Sequence, residues 1–265
     1  MLTFDNAHTN FVFDGNSLFA NQVDANGVYS NDNRIGEKLM ALPPISGAMT
    51  YKNKALGGAT FKTMVAGQNG NSGIADLQAA YEAGKQNILF VLEGVNTALT
   101  ARPDGSAATA ADIIQDCKDY LAAVKAGHAD WRIYIVLAPP YKDDTVPSVG
   151  NAAIDGYNAY IRANYASMGV EGYVETRRPG GVLPYQAPYT YPYINQSGYY
   201  KDDVHWNAVA NGVVAQYLAD LLPAIPDVAP AAPDAPPAPP VSRKNAMLTV
   251  GGMPSIVGGK PLMVN

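Results

Sequence analysis

The sequence is short of charge. Only 15% of its 265 residues are Asp, Glu, Lys or Arg, and the formal net charge is −5. A nucleic-acid partner needs a basic stripe, so this composition argues against one. The single cysteine, Cys117, cannot close an internal disulfide; it sits in a helical pattern and reads as a packed structural thiol. There is no apolar run of ~18 residues, which argues against a membrane span. Met1 to Asn10 is polar, so no signal peptide is expected and synthesis in a cytoplasm is. That leaves open release by lysis or incorporation into a particle. No repeat with a period of ~20 to 50 residues stands out, which argues against a solenoid.

What is present divides the chain. Hydrophobic pattern runs to about residue 222. From Pro223 to Pro240 the run PAIPDVAPAAPDAPPAPP favours an extended spacer and cannot build a core. The reading is a domain over 1–222, a Pro/Ala-rich linker over 223–243 and a short segment over 244–265. A domain of that size buries ~70% of its unfolded surface and needs no disulfides. Within it, strands are expected over Asn10–Asp14, Ala48–Ala55, Asn87–Leu92, Arg132–Leu137 and Gly172–Glu175. Continuous apolar runs such as NILFVL fit parallel strands covered on both faces. Helices are expected over Arg34–Leu42, Gly73–Gly84, Thr109–Gly127, Asn151–Ser167 and Trp206–Leu222. In the third, Ala111, Ile114, Lys118, Leu121 and Val124 follow helical spacing, Thr109 or Ser106 caps the start and Gly127 ends it. Alternating strands and helices imply an α/β fold with a parallel, three-layered α/β/α arrangement. Five strands suit an open doubly wound sheet, which binds ligands at the carboxyl ends of its strands.

The candidate residues fall at those ends. Phe11-Val12-Phe13-Asp14-Gly15-Asn16-Ser17-Leu18 reads as a buried strand ending in a turn that presents Ser17. A serine hydroxyl is a poor nucleophile alone and needs a base, an orienting group and an oxyanion hole. Of the three histidines, His8 and His128 read as surface residues. His205, in Asp202-Asp203-Val204-His205, has a carboxylate three residues upstream that can hold one ring nitrogen while the other faces Ser17. The competing reading is a helix cap with an exposed histidine. Gly57-Gly58 offers backbone N–H donors at a turn no side chain blocks, or is an ordinary turn. Asn96 offers an amide donor, or only closes a strand-end turn.

Together the four blocks resemble the SGNH hydrolases, the GDSL-type esterases and lipases. Asp14-Gly15-Asn16-Ser17-Leu18 is similar to the family's Gly-Asp-Ser-Leu, Leu56-Gly57-Gly58-Ala59 carries the glycine, Glu93-Gly94-Val95-Asn96 is similar to Gly-x-Asn-Asp, and Asp202 to His205 matches Asp-x-x-His. The resemblance runs from about residue 10 to 222 with the blocks in order. It implies a flavodoxin-like five-stranded sheet, a Ser17–His205–Asp202 triad, and an oxyanion hole from the N–H groups of Ser17 and Gly58 and the Asn96 amide. It calls for no cofactor and no metal. Two positions depart from the pattern: Asn16 stands where the family has Asp before the nucleophile, and Thr97 where it has Asp after the block-three asparagine. The family's acids at these two positions are expected to brace the oxyanion loops, so their loss makes a weakly active or binding-only relative the alternative.

The expected activity is hydrolysis of short-chain acyl esters. The stretch from Tyr185 to Tyr193, with Tyr189, Tyr191 and Tyr193, sits just before the triad. Tyrosines pair an apolar face with a polar tip and suit sugar rings, which tilts the substrate toward an O-acetylated carbohydrate or similar acylated small molecule. The competing reading is a loop packed by its own rings. The 244–265 segment is too small to fold alone; it is expected either to be a tail or to dock the enzyme on a larger assembly, for which a virus particle that trims host polysaccharide is one fit.

Overall fold

A computed structural model describes residues 4–20, 34–45, 49–68, 70–142, 149–177 and 198–229. Its centre is a parallel sheet of five strands: β1 (Thr9–Gly15), β2 (Tyr51–Asn53), β3 (Gln86–Leu92), β4 (Arg132–Val136) and β5 (Gly172–Val174). The spatial order is β2-β1-β3-β4-β5, the doubly wound flavodoxin-like order, with the switch point between β1 and β3. Every residue of β1, β3 and β4 is buried, and their centres read as the apolar runs Phe11–Phe13, Ile88–Leu92 and Ile133–Val136. The register aligns Phe13, Phe90 and Tyr134 across three strands, with ring centroids 5.2 Å and 6.1 Å apart. Phe11 stacks between Phe4 and Phe90 on the same side. Each such ring contributes ~1.5–3 kcal/mol by leaving water.

The helices flank this sheet. They are α1 (Ile35–Met40), α2 (Phe61–Ala66), α3 (Ile74–Gln78), α4 (Val95–Leu99), α5 (Ala110–Gly127), α6 (Val149–Asn164) and α7 (Ala208–Leu221). α1 packs on α7, while α5 packs on α6, α2 and α3. α2 and α4 were not expected from the sequence. They hold six and five residues, too few for a hydrophobic period to show.

The start of α5 is as read: Thr109 and Asp112 form a capping box. Its buried stripe is not. Ile113, Asp116, Cys117, Tyr120, Leu121 and Val124 face inward, while Ala111 and Lys118 are exposed. The bulkier side chains decide the face, and the expected stripe shares only Leu121 and Val124 with it. Gly127 is the last helical residue and takes no left-handed turn; its missing Cβ leaves room for Gln78. A Cβ there would lie 2.2 Å from Gln78 Cδ, and Gln78 Nε2 donates to the terminal carbonyl of Val124 at 2.9 Å. Cys117 is fully buried, and burial pushes its thiol up to about 12.

Packing continues past Leu222. Ile225 is buried, and Arg132 Nη1 donates to the Pro226 carbonyl at 2.7 Å. The folded unit therefore extends at least four residues beyond the boundary read from the sequence. The remainder of the expected linker and the 244–265 segment lie outside the described residues. Among the described residues no helix is long and apolar enough to cross a membrane.

Candidate active site

β1 ends at Gly15, where the chain must pass against β3. A Cβ on Gly15, at φ +148°, would sit 2.2 Å from the Leu92 carbonyl oxygen, so only glycine fits. Asn16 N–H then donates to that same carbonyl at 3.2 Å, and Asn16 Oδ1 accepts from Leu18 N–H at 2.9 Å. This closed turn leaves Ser17 half-buried at the carboxyl edge of the sheet.

The Asp202–His205 loop meets it from the far end of the chain. Tyr200 and Trp206 are both buried and bridge each other, and Tyr200 Oη donates to the Pro140 carbonyl at 2.8 Å. They anchor the loop from both sides, so the residues between them form its outer tip. Asn207 caps α7 by accepting from Val209 and Ala210 N–H. The loop brings His205 Nε2 to 2.7 Å from Ser17 Oγ. The other ring nitrogen, Nδ1, lies 3.0 Å and 2.9 Å from the two Asp202 carboxylate oxygens. Asp202 Oδ1 also accepts from His205 N–H at 2.7 Å and Val204 N–H at 2.9 Å. Burial raises the Asp202 carboxyl, but the His205 ring and these two N–H groups outweigh it and hold the group well below the usual carboxylate range. Asp202 is therefore ionised at neutral pH. With its proton on Nδ1, the ring presents a lone pair to the serine.

The expected oxyanion donors lie on neighbouring loops. Gly58 is exposed, with φ +76°. Asn96 Nδ2 donates to the Ala59 carbonyl at 3.0 Å, which ties the loop after β3 to the glycine turn and leaves its second N–H for another partner. Leu56 N–H donates to the Gly15 carbonyl at 2.9 Å, so the loop after β2 also borders the serine turn. Among the described residues, the N–H groups of Ser17 and Gly58 make no hydrogen bond.

Asn16 and Thr97, although neither is the family's acid, still tie these loops together, through a residue given no role by sequence reasoning. Glu93 is fully buried and follows β3 directly. Its Oε2 accepts from Asn16 Nδ2 at 2.5 Å and more distantly from Asn96 N–H at 3.4 Å. Its Oε1 accepts from Thr97 N–H and Thr97 Oγ1, both at 2.7 Å. Burial raises the Glu93 carboxyl, opposed by bonds from Thr97, Gly94 and Asn16. The signal that marks it is a carboxylate set directly on the apolar run NILFVL in a chain poor in charge.

The other expected residues fall elsewhere. His8 stands exposed beside Asp5, and His128 stacks on Tyr81 with centroids 3.7 Å apart. Tyr189, Tyr191 and Tyr193 lie outside the described residues. Tyr200, from the same tyrosine-rich stretch, anchors the His205 loop and is no part of a rim. Among the described residues no group of three His, Cys, Asp or Glu side chains could hold a metal ion.

No family sequence model and no curated protein sequence matches this chain. Solved structures do. A member of the lipolytic G-D-S-L family from Veillonella parvula DSM 2008 aligns with a TM-score of 0.56 at 11% identity, over 82% of this chain and 100% of that one. Est24, a carbohydrate acetylesterase from Sinorhizobium meliloti, aligns at 0.57 and 13% identity, over 82% and 99%. A lipase/acylhydrolase from Enterococcus faecalis aligns at 0.53 and 13% identity, over 84% and 100%. At these identities the likeness is one of fold. The chain has the three-layer fold of the SGNH hydrolases.

Proposed function

We propose that this chain, on its SGNH-hydrolase fold, is a serine esterase that removes short acyl groups. The observation that carries the reading is the linear chain of contacts from Ser17 Oγ through His205 to the ionised Asp202. His205 Nε2 takes the serine proton as Oγ attacks the ester carbonyl carbon. Negative charge develops on the carbonyl oxygen, where the N–H groups of Ser17 and Gly58 and the Asn96 amide receive it. A single such donor is worth ~2.7–4 kcal/mol of barrier. Collapse of the tetrahedral species expels the alcohol, which takes its proton from His205. Water, deprotonated by the same ring, then releases the acid and restores Ser17. Asp202 keeps the imidazole in the orientation that both proton transfers need.

An O-acetylated carbohydrate is the substrate class we favour. Two features support it: the tyrosine-rich stretch before the triad, and the fold shared with Est24, itself described as a carbohydrate acetylesterase. The binding-only alternative rested on Asn16 and Thr97, and both keep bracing partners through Glu93. We further read 244–265 as a docking peptide carried on the 223–243 linker. A chain ending at Ala229 that still joined a larger assembly would remove that role.

Hydrolysis of p-nitrophenyl acetate by the wild type and Ser17→Ala tests the activity. Turnover lost in the variant is expected; equal turnover by both removes the serine from the reaction. A wild type that prefers p-nitrophenyl decanoate to the acetate would overturn the short-chain reading.

A further inference from the structure

We infer that Glu93 is a positioning residue that sets the three loops of the proposed oxyanion site against one another, carrying at position 93 the negative charge that a neutral Asn16 and Thr97 lack. The inference rests on the esterase reading for its kinetic consequence, but its geometry stands on its own.

One buried carboxylate gathers groups from two loops directly and reaches the third through Thr97. The loop after β1 contributes Asn16 Nδ2, next in sequence to Ser17. The loop after β3 contributes the N–H groups of Asn96 and Thr97 and the Thr97 hydroxyl. The loop after β2 is held one step removed: Phe61 N–H, three residues past Gly58, donates to Thr97 Oγ1 at 3.3 Å. Every group facing Glu93 is a donor, so an ionised, acceptor-only side chain satisfies all of them at once. A fully buried carboxylate is costly unless its donors are in place. Loops tethered this way have one arrangement in which all contacts are made, and that is the arrangement presenting Ser17 N–H, Gly58 N–H and the Asn96 amide together.

The polarity of the Asn16–Glu93 contact makes the inference testable by exchange. In Glu93→Gln, an amide NH₂ would face the NH₂ of Asn16. Asn16 cannot turn its oxygen toward position 93 without taking the acceptor from Leu18 N–H. In Asn16→Asp, two carboxylates would meet across a 2.5 Å contact. The double variant Asn16→Asp/Glu93→Gln restores the pairing with its direction reversed. Its new carboxylate accepts from the amide at 93 and from Leu18 N–H, and the amide oxygen at 93 still accepts from Thr97.

The test compares the two single variants, the double variant and the wild type on p-nitrophenyl acetate, with amide hydrogen exchange at Leu18, Asn96 and Thr97 measured on each. A catalytic group displaced by about an ångström can lose ~10²-fold in rate. Each single variant is expected to lose about 10- to 100-fold in kcat with little change in KM, and to lose exchange protection at those three amides. The double variant is expected to regain at least about tenfold in kcat and the lost protection at Leu18 and Thr97, but not at Asn96, whose N–H then faces the amide NH₂ at 93. If Glu93→Gln does not fold, Thr97→Val removes the hydroxyl that donates to Glu93 and accepts from Phe61 N–H, with little change of shape, and is expected to lower kcat several-fold. Wild-type kcat and protection in Glu93→Gln, or in Thr97→Val if that variant stands in, would overturn the inference. So would a double variant no better than the worse single. An inactive wild type would count against the esterase reading alone, and amide exchange would then decide the role of Glu93.

Discussion

Asp14 is fully buried between the serine turn and α5, and no step of the proposed reaction uses it. Its Oδ2 accepts from Tyr120 Oη at 2.6 Å and its Oδ1 from Gly15 N–H at 2.8 Å. Burial dominates these bonds and pushes the carboxyl up to about 6. In the unfolded chain an aspartate sits near ~3.9, and each tenfold in proton affinity is 1.36 kcal/mol, so the difference is worth about 3 kcal/mol. Well below pH ~4 the group is protonated in both states and costs nothing. Between ~4 and about 6 the folded state holds the extra proton, so stability falls as the pH rises. Above about 6 the full cost is present. Asp14→Asn removes the titration, because its amide can keep Gly15 N–H on its oxygen and donate to Tyr120 from its nitrogen. Urea unfolding of wild type and variant at pH 4, 5, 6 and 7 isolates the effect, since the other titrating groups cancel in the difference. Relative to the wild type, the variant is expected to gain about 2 kcal/mol between pH 4 and pH 7, the rest of the difference lying outside that range. A difference that does not change with pH would refute the reasoning.

Two further outcomes follow from the same contacts. Asp202→Asn keeps an oxygen for Val204 and His205 N–H but places an amide donor against His205 Nδ1, forcing the proton onto Nε2 where it faces Ser17. Steady-state kinetics on p-nitrophenyl acetate are expected to show kcat down by roughly 10³–10⁴ with an unchanged far-ultraviolet spectrum; a loss under tenfold would remove Asp202 from its orienting role. Cys117 is buried and its thiol is held at about 12, so intact-mass measurement should find no iodoacetamide adduct on the native protein at pH 8 and one adduct in denaturant. Native labelling at the denatured rate would contradict its packed position.

The sheet was legible in the sequence because β1, β3 and β4 are covered on both faces and so leave unbroken apolar runs. The long helices were legible for the same reason of length, since α5 and α6 carry 18 and 16 residues. α2 and α4 are single turns with no period to detect, and α1 and α3, no longer, were read from the stops that follow them, Pro43-Pro44 and Gly84. The contact of Ser17 with the Asp202–His205 pair was legible because both the strand-end serine and Asp-x-x-His are residue types at a fixed local spacing. Glu93 was not, because its meaning depends on Asn16, which is 77 residues away and meets it only across the β1–β3 ladder. The departure at Asn16 was read one residue at a time, whereas the structure pairs Asn16 with the buried Glu93 carboxyl.

Covalent capture of the nucleophile is the measurement to make first. An alkyl fluorophosphonate reacts when a serine oxygen attacks phosphorus and fluoride leaves, a step that the His205 base and the oxyanion donors accelerate together. Peptide mass spectrometry of the treated full-length chain is expected to find one phosphonyl group, on Ser17, and the adduct is expected to be lost in His205→Ala. A label on another residue, no label at Ser17, or equal labelling of Ser17 in the His205→Ala variant would contradict a serine activated by histidine.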